Sequence, residues 1–418
     1  MTPPVFKIIP TTQQYDWGKL GSSSKVAQLA DASATPGFQL DDNKPYAELW
    51  MGTHPTSPSK LPSGATLSSL LKENPSLIGT DVLSRFPDAA EGNLPFLFKV
   101  LSINKALSIQ THPDKKTAEQ LHAKLPNIYK DPNHKPELAL ALTPFRALCG
   151  FLPLPDIANH LRNTPELSAV IPPSIVTAFL AIAESDTPSG PTEKAALKDL
   201  FAGLMTAEET AFKTQLSVLV ERYSSKPDVD PESIEALVLR LNSQFPGDIG
   251  IFCAFLLNYV KLQPGEAIFL GAGEPHAYVD GDIIECMANS DNVIRAGLTP
   301  KLRDIPNLVA GLTYVPADAS RHRVQPTPFS SGVSTLYDPP IPEFSVVQVK
   351  LGAGATELHR AVEGPSLTVI TEGEGVVSWG DASLNVGTGD VVFIGAATKV
   401  GFSAESGIVL YRALVEVN

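Results

Sequence analysis

Hydrophobic and polar positions follow two different rhythms along this chain. Toward both ends, short runs such as Val5 to Ile9, Glu48 to Met51, Phe96 to Ile103 and Leu107 to Thr111 are apolar or alternating, and Gly, Pro and Asn turns separate them. That punctuation predicts short antiparallel strands stacked as a sandwich or jelly roll. Asn104 and Lys105 read as a hairpin turn between two of these strands. Between about residues 153 and 262 the rhythm lengthens. The segments LPDIANHLRNTP, TEKAALKDLFAGLM, AEETAFKTQLSVLVERYSS and DPESIEALVLRLNSQF place apolar residues at helical spacing. Thr206 and Asp230 are expected to cap two of the helices, and SDTPSGPT (185–192) to form a surface loop. The fold class is therefore mainly β with an α-helical insertion.

A weak internal repeat organises the C-terminal portion. PGEAIFLGAGEPH (264–276) aligns with TGDVVFIGAATKV (388–400), so that Gly265 and Glu266 match Gly389 and Asp390, and His276 falls opposite Val400. Both runs resemble the second motif of a cupin barrel. The second copy has lost a potential ligand and offers no obvious replacement. The strand pattern predicts jelly-roll barrels and the resemblance implies that they are of cupin type, two of them plus a helical domain: residues 1–152 with 263–320, a helical domain at 153–262, and a metal-free barrel at 321–418.

Composition narrows the function. With 418 residues, 43% of them hydrophobic, the chain can bury a large core in two or three domains. A formal charge of −13 argues against nucleic-acid or anionic-membrane binding, both of which need clustered Lys and Arg. No apolar run reaches the roughly 20 residues of a membrane span, and the N-terminus MTPPVFKIIPTTQQ lacks the apolar core of a signal peptide, so a cytoplasmic protein is expected. Cys149, Cys253 and Cys286 sit in apolar contexts without paired spacing, as structural thiols do.

Four potential metal ligands stand out: Gln110 and His112 in SIQTHPD, Glu137 in HKPEL and His276 in GEPHAY. Residues two apart on a strand share a face, so Gln110 and His112 can reach one ion together. Two neutral imidazoles, an amide and a carboxylate leave a divalent ion one positive charge in surplus, suited to stabilising an oxyanion. Mixed nitrogen and oxygen ligation fits zinc best, with manganese, cobalt and iron as alternatives.

The stretches LPFLFKVLSINKALSIQTHPD (94–114), HKPELALAL (134–142) and GEPHAYVDGDIIECMANSDNVIRAGLTPK (273–301) resemble the type I phosphomannose isomerases. The resemblance extends to YDWG (15–18) and AELWMGTHP (47–55), while residues 153–245 contribute only helical filler. It implies one zinc ion on the four ligands and interconversion of mannose 6-phosphate and fructose 6-phosphate, supplying GDP-mannose for glycosylation. It also implies a monomer acting on a small phosphorylated sugar.

Such a reaction moves a proton between adjacent carbons through an enediolate, so it needs a cation and a proton-handling group. Arg295 in NVIRAGLTPK matches the family's catalytic arginine; its bland reading is a structural pair with Asp291. Glu285, Lys135 and Tyr278 are the candidates for proton transfer, and the sequence does not choose among them. Glu48 reads as a structural acceptor. With no glycine-rich phosphate loop, Ser108, Lys99 and Lys301 are the candidates for the phosphate, the resemblance favouring Ser108 and Lys301. Trp17 and Trp50 are candidate pocket walls, and His54 and His134 could border the pocket. His122, His160, His322 and His359 read as surface residues. Two rival readings are an iron-dependent cupin oxygenase, disfavoured because glutamine stands where a histidine is usual, and a sugar-binding cupin without turnover, disfavoured by Arg295 with Lys301.

Overall fold

The computed structural model describes residues 2–183, 189–330 and 332–417. Its principal elements, in chain order, begin with strands β1 (Val5–Ile8), β2 (Glu48–Met51), β3 (Phe96–Ile103), β4 (Ile109–Thr111), β5 (Glu137–Ala141) and β6 (Phe145–Phe151). Helices α1 (Leu154–Asn163), α2 (Pro165–Val170), α3 (Pro173–Ile182), α4 (Pro191–Met205), α5 (Glu209–Ser224) and α6 (Ile234–Gln244) follow. The chain then returns to strands β7 (Leu257–Leu262), β8 (Ala267–Leu270), β9 (His276–Ala288) and β10 (Ile294–Gly297). The last set comprises β11 (Ser334–Tyr337), β12 (Ser345–Leu351), β13 (Thr356–His359), β14 (Ser366–Trp379), β15 (Val391–Ile394), β16 (Val400–Ser403) and β17 (Ile408–Leu414). The result is mainly antiparallel β with an inserted helical region, as expected. Among the described residues, no helix is long and apolar enough to cross a membrane.

The strand β3 shows why its sequence is almost continuously apolar. Phe96, Phe98 and Val100 pack against Val346, Leu367 and Phe393 of the C-terminal sheet, while Leu101 and Ile103 face the interior of their own barrel. A strand buried on both faces needs apolar residues at both parities. The helices close the opposite side: Phe201, Leu219 and Leu241 share one core with Ile109, Ala277, Val279 and Ala296 on the outside of the barrel.

The long strand β9 ties the sheet together. Its later part pairs with β3 and β5, and its first residues pair with β4 and β6. Asn104 and Lys105 are therefore not a hairpin turn. The strands on either side of them do not pair with each other but lie along different parts of β9, and both N–H groups at this corner donate to the Trp17 carbonyl.

The repeat is visible in three dimensions. Gly265 and Gly389 open the two copies with φ of 91° and 89°, a left-handed turn that favours glycine. The strands β8 and β15 follow, then β9 from His276 and β16 from Val400. Strand pairing crosses the expected divisions in two places: β1 pairs with β15 in the C-terminal sheet, and β7, within the segment read as helical, pairs with β6.

The predicted caps differ. Thr206 ends α4, donating its hydroxyl to the Ala202 carbonyl, and Glu208 caps α5 by accepting from the N–H groups of Thr210 and Ala211. Asp230 accepts from the Glu232 N–H one turn too early, and Ser233 caps α6. Residues 185–188 of the predicted loop lie outside the described residues.

Candidate metal centre and substrate cavity

Interior-facing positions of the first barrel carry the chemistry. On β3, Lys99 interrupts the stripe of Leu97, Leu101 and Ile103. On β9, Tyr278 and Ile283 both face the barrel interior although they stand an odd number of positions apart. A β-bulge between Tyr278 and Asp280 resolves this, because one extra residue inverts the alternation. His276 and Tyr278 before it, and Glu285 after it, thereby share one interior. Gln110 on β4 is the Cα partner of both His276 and Arg295 on its two flanking strands.

His112, Glu137 and His276 are buried, and one ligand atom from each lies within 4.8 Å of the others. The Nδ1 of His112 lies 2.7 Å from the Asn292 carbonyl, and that of His276 lies 2.9 Å from the Glu274 carbonyl. A carbonyl can only accept, so each Nδ1 carries the proton, and in the neutral form of either ring the Nε2 is left bare. These Nε2 atoms have no hydrogen-bond partner, yet each stands 3.3 Å from a carboxylate oxygen of Glu137. Three electron-pair donors thus converge with no proton among them, which is unfavourable unless a cation lies between. Burial holds the His112 pKa down to about 4, keeping it neutral. Burial alone would raise that of Glu137, but neighbouring positive charge, with the Lys135 ammonium at 3.5 Å, outweighs it and holds the carboxyl well below the ordinary range. The residues fit a divalent metal.

Beside this trio lies a cavity of about 430 Å³, lined by Gln110, Glu137, Lys135, Tyr278, Glu285, Arg295, Lys99, Ser108, Lys301 and Trp17. Every candidate catalytic and phosphate-binding residue borders it, as does Trp17, but Trp50 does not. Lys99 is buried, with its ammonium 3.0 Å from Glu285 and 3.3 Å from Glu48. Its charge is therefore shared by two carboxylates and is not free for a phosphate. Burial raises the Glu285 pKa against the pull of Lys99, with Glu137 and Glu48 adding to the rise. Burial, then Glu285 and Glu137, push the Tyr278 phenol well up, so it stays protonated. Arg295 is half-buried and makes no ion pair among the described residues, and burial alone lowers its pKa. Asp291, its suspected partner, stands 3.3 Å from His54 instead.

Sequence reasoning missed several features. Glu48 lines the cavity and accepts from the Trp50 indole as well as holding Lys99. Tyr15, Asp16, Lys105 and Phe245 also line it, Phe245 reaching in from the end of α6. His54 and His134 do not line this cavity. His322 and His359 are buried, not exposed. In the second barrel, Arg412 donates to His359, whose other nitrogen donates to Ser334, which donates to Glu357. Val400, lying opposite His359 in the strand register, thus has polar company that the sequence did not reveal.

Comparison with known proteins agrees with this geometry. Profiles of phosphomannose isomerase type I match in three parts: the catalytic domain over residues 5–154, the helical insertion domain over 175–257 and the C-terminal part over 334–382. The chain is 52% identical over 434 residues to the mannose-6-phosphate isomerase of Cryptococcus neoformans var. neoformans, with both chains covered completely. It is 44% identical over 432 residues to that of Saccharomyces cerevisiae, again over both full lengths. Among solved structures, a mutant phosphomannose isomerase from Salmonella typhimurium superimposes with a TM-score of 0.83 at 34% identity, covering 99% of this chain and 100% of its own. A mannose 6-phosphate isomerase bound with zinc and yttrium gives the same values.

Proposed function

This chain belongs to the type I phosphomannose isomerase family, and from that membership we propose that it interconverts mannose 6-phosphate and fructose 6-phosphate through an enediolate. His112, Glu137 and His276, with Gln110 beside them, would hold one zinc ion. Bound there, zinc supplies a Lewis acid that stabilises negative charge on a sugar oxygen. The observation that carries the reading is the meeting of two bare imidazole nitrogens with one buried carboxylate at the edge of a cavity holding an unpaired arginine.

The remaining work falls to the chain's own side chains. Arg295, a permanent charge without a carboxylate partner among the described residues, stabilises the developing enediolate oxygen. Glu285, whose raised pKa brings it nearer the working pH, takes the proton from C2 of the aldose and returns it to C1 of the enediolate, while the O2 proton passes to O1 and leaves the C2 ketone. Lys99 keeps this carboxylate ionised, and Glu48 fixes Lys99. Tyr278, held protonated, donates a hydrogen bond within the cavity, and Lys135 supplies a second cation beside Glu137. Ser108 and Lys301 receive the phosphate, and Trp17 walls the sugar.

In this reading residues 1–152 and 263–320 form the catalytic unit, 153–262 cover it and 321–418 form a structural barrel. The protein would work as a cytoplasmic monomer at the head of GDP-mannose supply. The test is fructose 6-phosphate formation from mannose 6-phosphate by purified protein, before chelation, after chelation and after zinc is restored. Activity lost and recovered with zinc is expected. A folded, zinc-loaded sample without turnover would reject the isomerase.

A further inference from the structure

The two imidazoles are aimed by main-chain carbonyls, and the carbonyl that aims His112 lies on a loop with an unusual anchorage. Sheet pairing holds Glu137 opposite Met287, and the Ala288 N–H donates to the Pro136 carbonyl at 3.1 Å. There the ladder stops. Beyond it, residues 131–133 and 289–292 run on as two irregular segments. One leads into Lys135 and Glu137; the other presents the Asn292 carbonyl to His112 and continues to Arg295.

A polar clamp joins these segments. The Asp131 carboxylate accepts from the Ser290 hydroxyl and from the Asp291 N–H, both at 2.8 Å. The Asn292 side-chain amide donates to the carbonyls of Asp131 at 2.7 Å and Asn133 at 2.9 Å. In return the Asn133 amide donates to the Asn289 carbonyl at 3.0 Å. Asn292 and Ser290 are buried, so these bonds are protected from water. With its side chain held at both acceptors, Asn292 has little freedom to move its own carbonyl away from His112.

We propose that Asp131 and Asn292 are positioning residues for the metal centre: the clamp extends the sheet register past the last ladder bond and so fixes the His112 ring relative to Glu137. The inference rests on the metal reading given above, since its effect is on the ligand set. It differs from a merely structural loop contact in its consequence. A structural contact would change stability alone, whereas the clamp sets how closely the unoccupied ligands match the bound geometry, and partners of this kind are worth about 10–100-fold in metal affinity.

The test uses full-length protein stripped of metal, with zinc alone as the probe, titrated in competition with a chromophoric chelator. Thermal unfolding of the metal-free protein is measured in parallel. Asn292→Ala should raise the zinc dissociation constant about 10–100-fold. Asp131→Asn is isosteric but removes the carboxylate charge and sets an NH2 donor against the Asp291 N–H, while the Asn292 amide keeps its carbonyl acceptors, so it should give a smaller rise in the same direction while folding normally. In nitrogen-15 spectra the His112 Nδ1–H signal of both variants should move from its wild-type position. Zinc affinity within about threefold of wild type in both variants, whatever their melting temperatures, would overturn the clamp while leaving the metal centre standing. Wild-type protein that binds no zinc would overturn both.

Discussion

Arg295 should separate turnover from stability more cleanly than any other side chain in the cavity. It is half-buried and makes no ion pair among the described residues, so Arg295→Ala removes positive charge without stranding any described carboxylate. We expect kcat to fall at least about 100-fold, in the range seen when a transition-state charge donor is lost, with a melting temperature close to wild type. Near-normal kcat would remove it from the reaction. Lys99 should behave differently, because it holds Glu285 and Glu48. Its attraction lowers the Glu285 pKa, so Lys99→Met should raise that pKa further and move the acid limb of the kcat/KM profile upward by about 1–3 units. An unmoved limb would mean that Glu285 is not the titrating base. The sequence revealed much at this level, because alternation puts Gln110 and His112 on one face whatever the rest of the fold does. It was silent on the carbonyls of Asn292 and Glu274 that aim the two histidines, since every residue has a carbonyl and only the fold says where it points.

Among the helices, the join between α2 and α5 offers a measurable contact. Arg222 grips Glu166 with two parallel hydrogen bonds of 2.8 and 2.7 Å, and those bonds are the main reason the Glu166 pKa is lowered. A carboxyl lowered in the folded state adds stability that is present above its unfolded pKa and is lost as pH falls through the folded one. Glu166→Gln should therefore cost about 1 kcal/mol near neutral pH, discounted because the arginine is partly exposed. The difference from wild type should vanish in acid, as urea titrations at several pH values would reveal; a penalty independent of pH would point to packing instead. Helix positions were readable from apolar spacing, but caps were not. Thr206, Glu208, Asp230 and Ser233 can all cap, and which does so depends on where the chain turns after Met205 and before Ile234.

The first barrel gathers its ligands from residues 110–112, 137 and 276, so an ion bound there closes long loops that the unfolded chain leaves open. Zinc present at about 100 times its dissociation constant should add about 2.7 kcal/mol of stability. Chelation should lower the melting temperature accordingly, and an unchanged unfolding curve in calorimetry would argue that no ion is held at these residues. The division into two barrels and a helical insertion could be read from local rhythm and the repeat. What local rhythm could not show was β1 crossing to pair with β15, because strand pairing across nearly four hundred residues leaves no mark on either segment alone.

The bulge before Asp280 also bears on how such a protein can fail. It acts as a phase shift: the two portions of β9 are out of step by one residue, and only that offset lets His276 and Glu285 look into the same space. Deleting a single residue there would spare every reactive side chain and most of the pairing potential of the strand, yet turn one portion's chemistry toward a hydrophobic neighbour. Activity here depends on a count of residues as well as on their identities, and a survey limited to substitutions would never find that dependence.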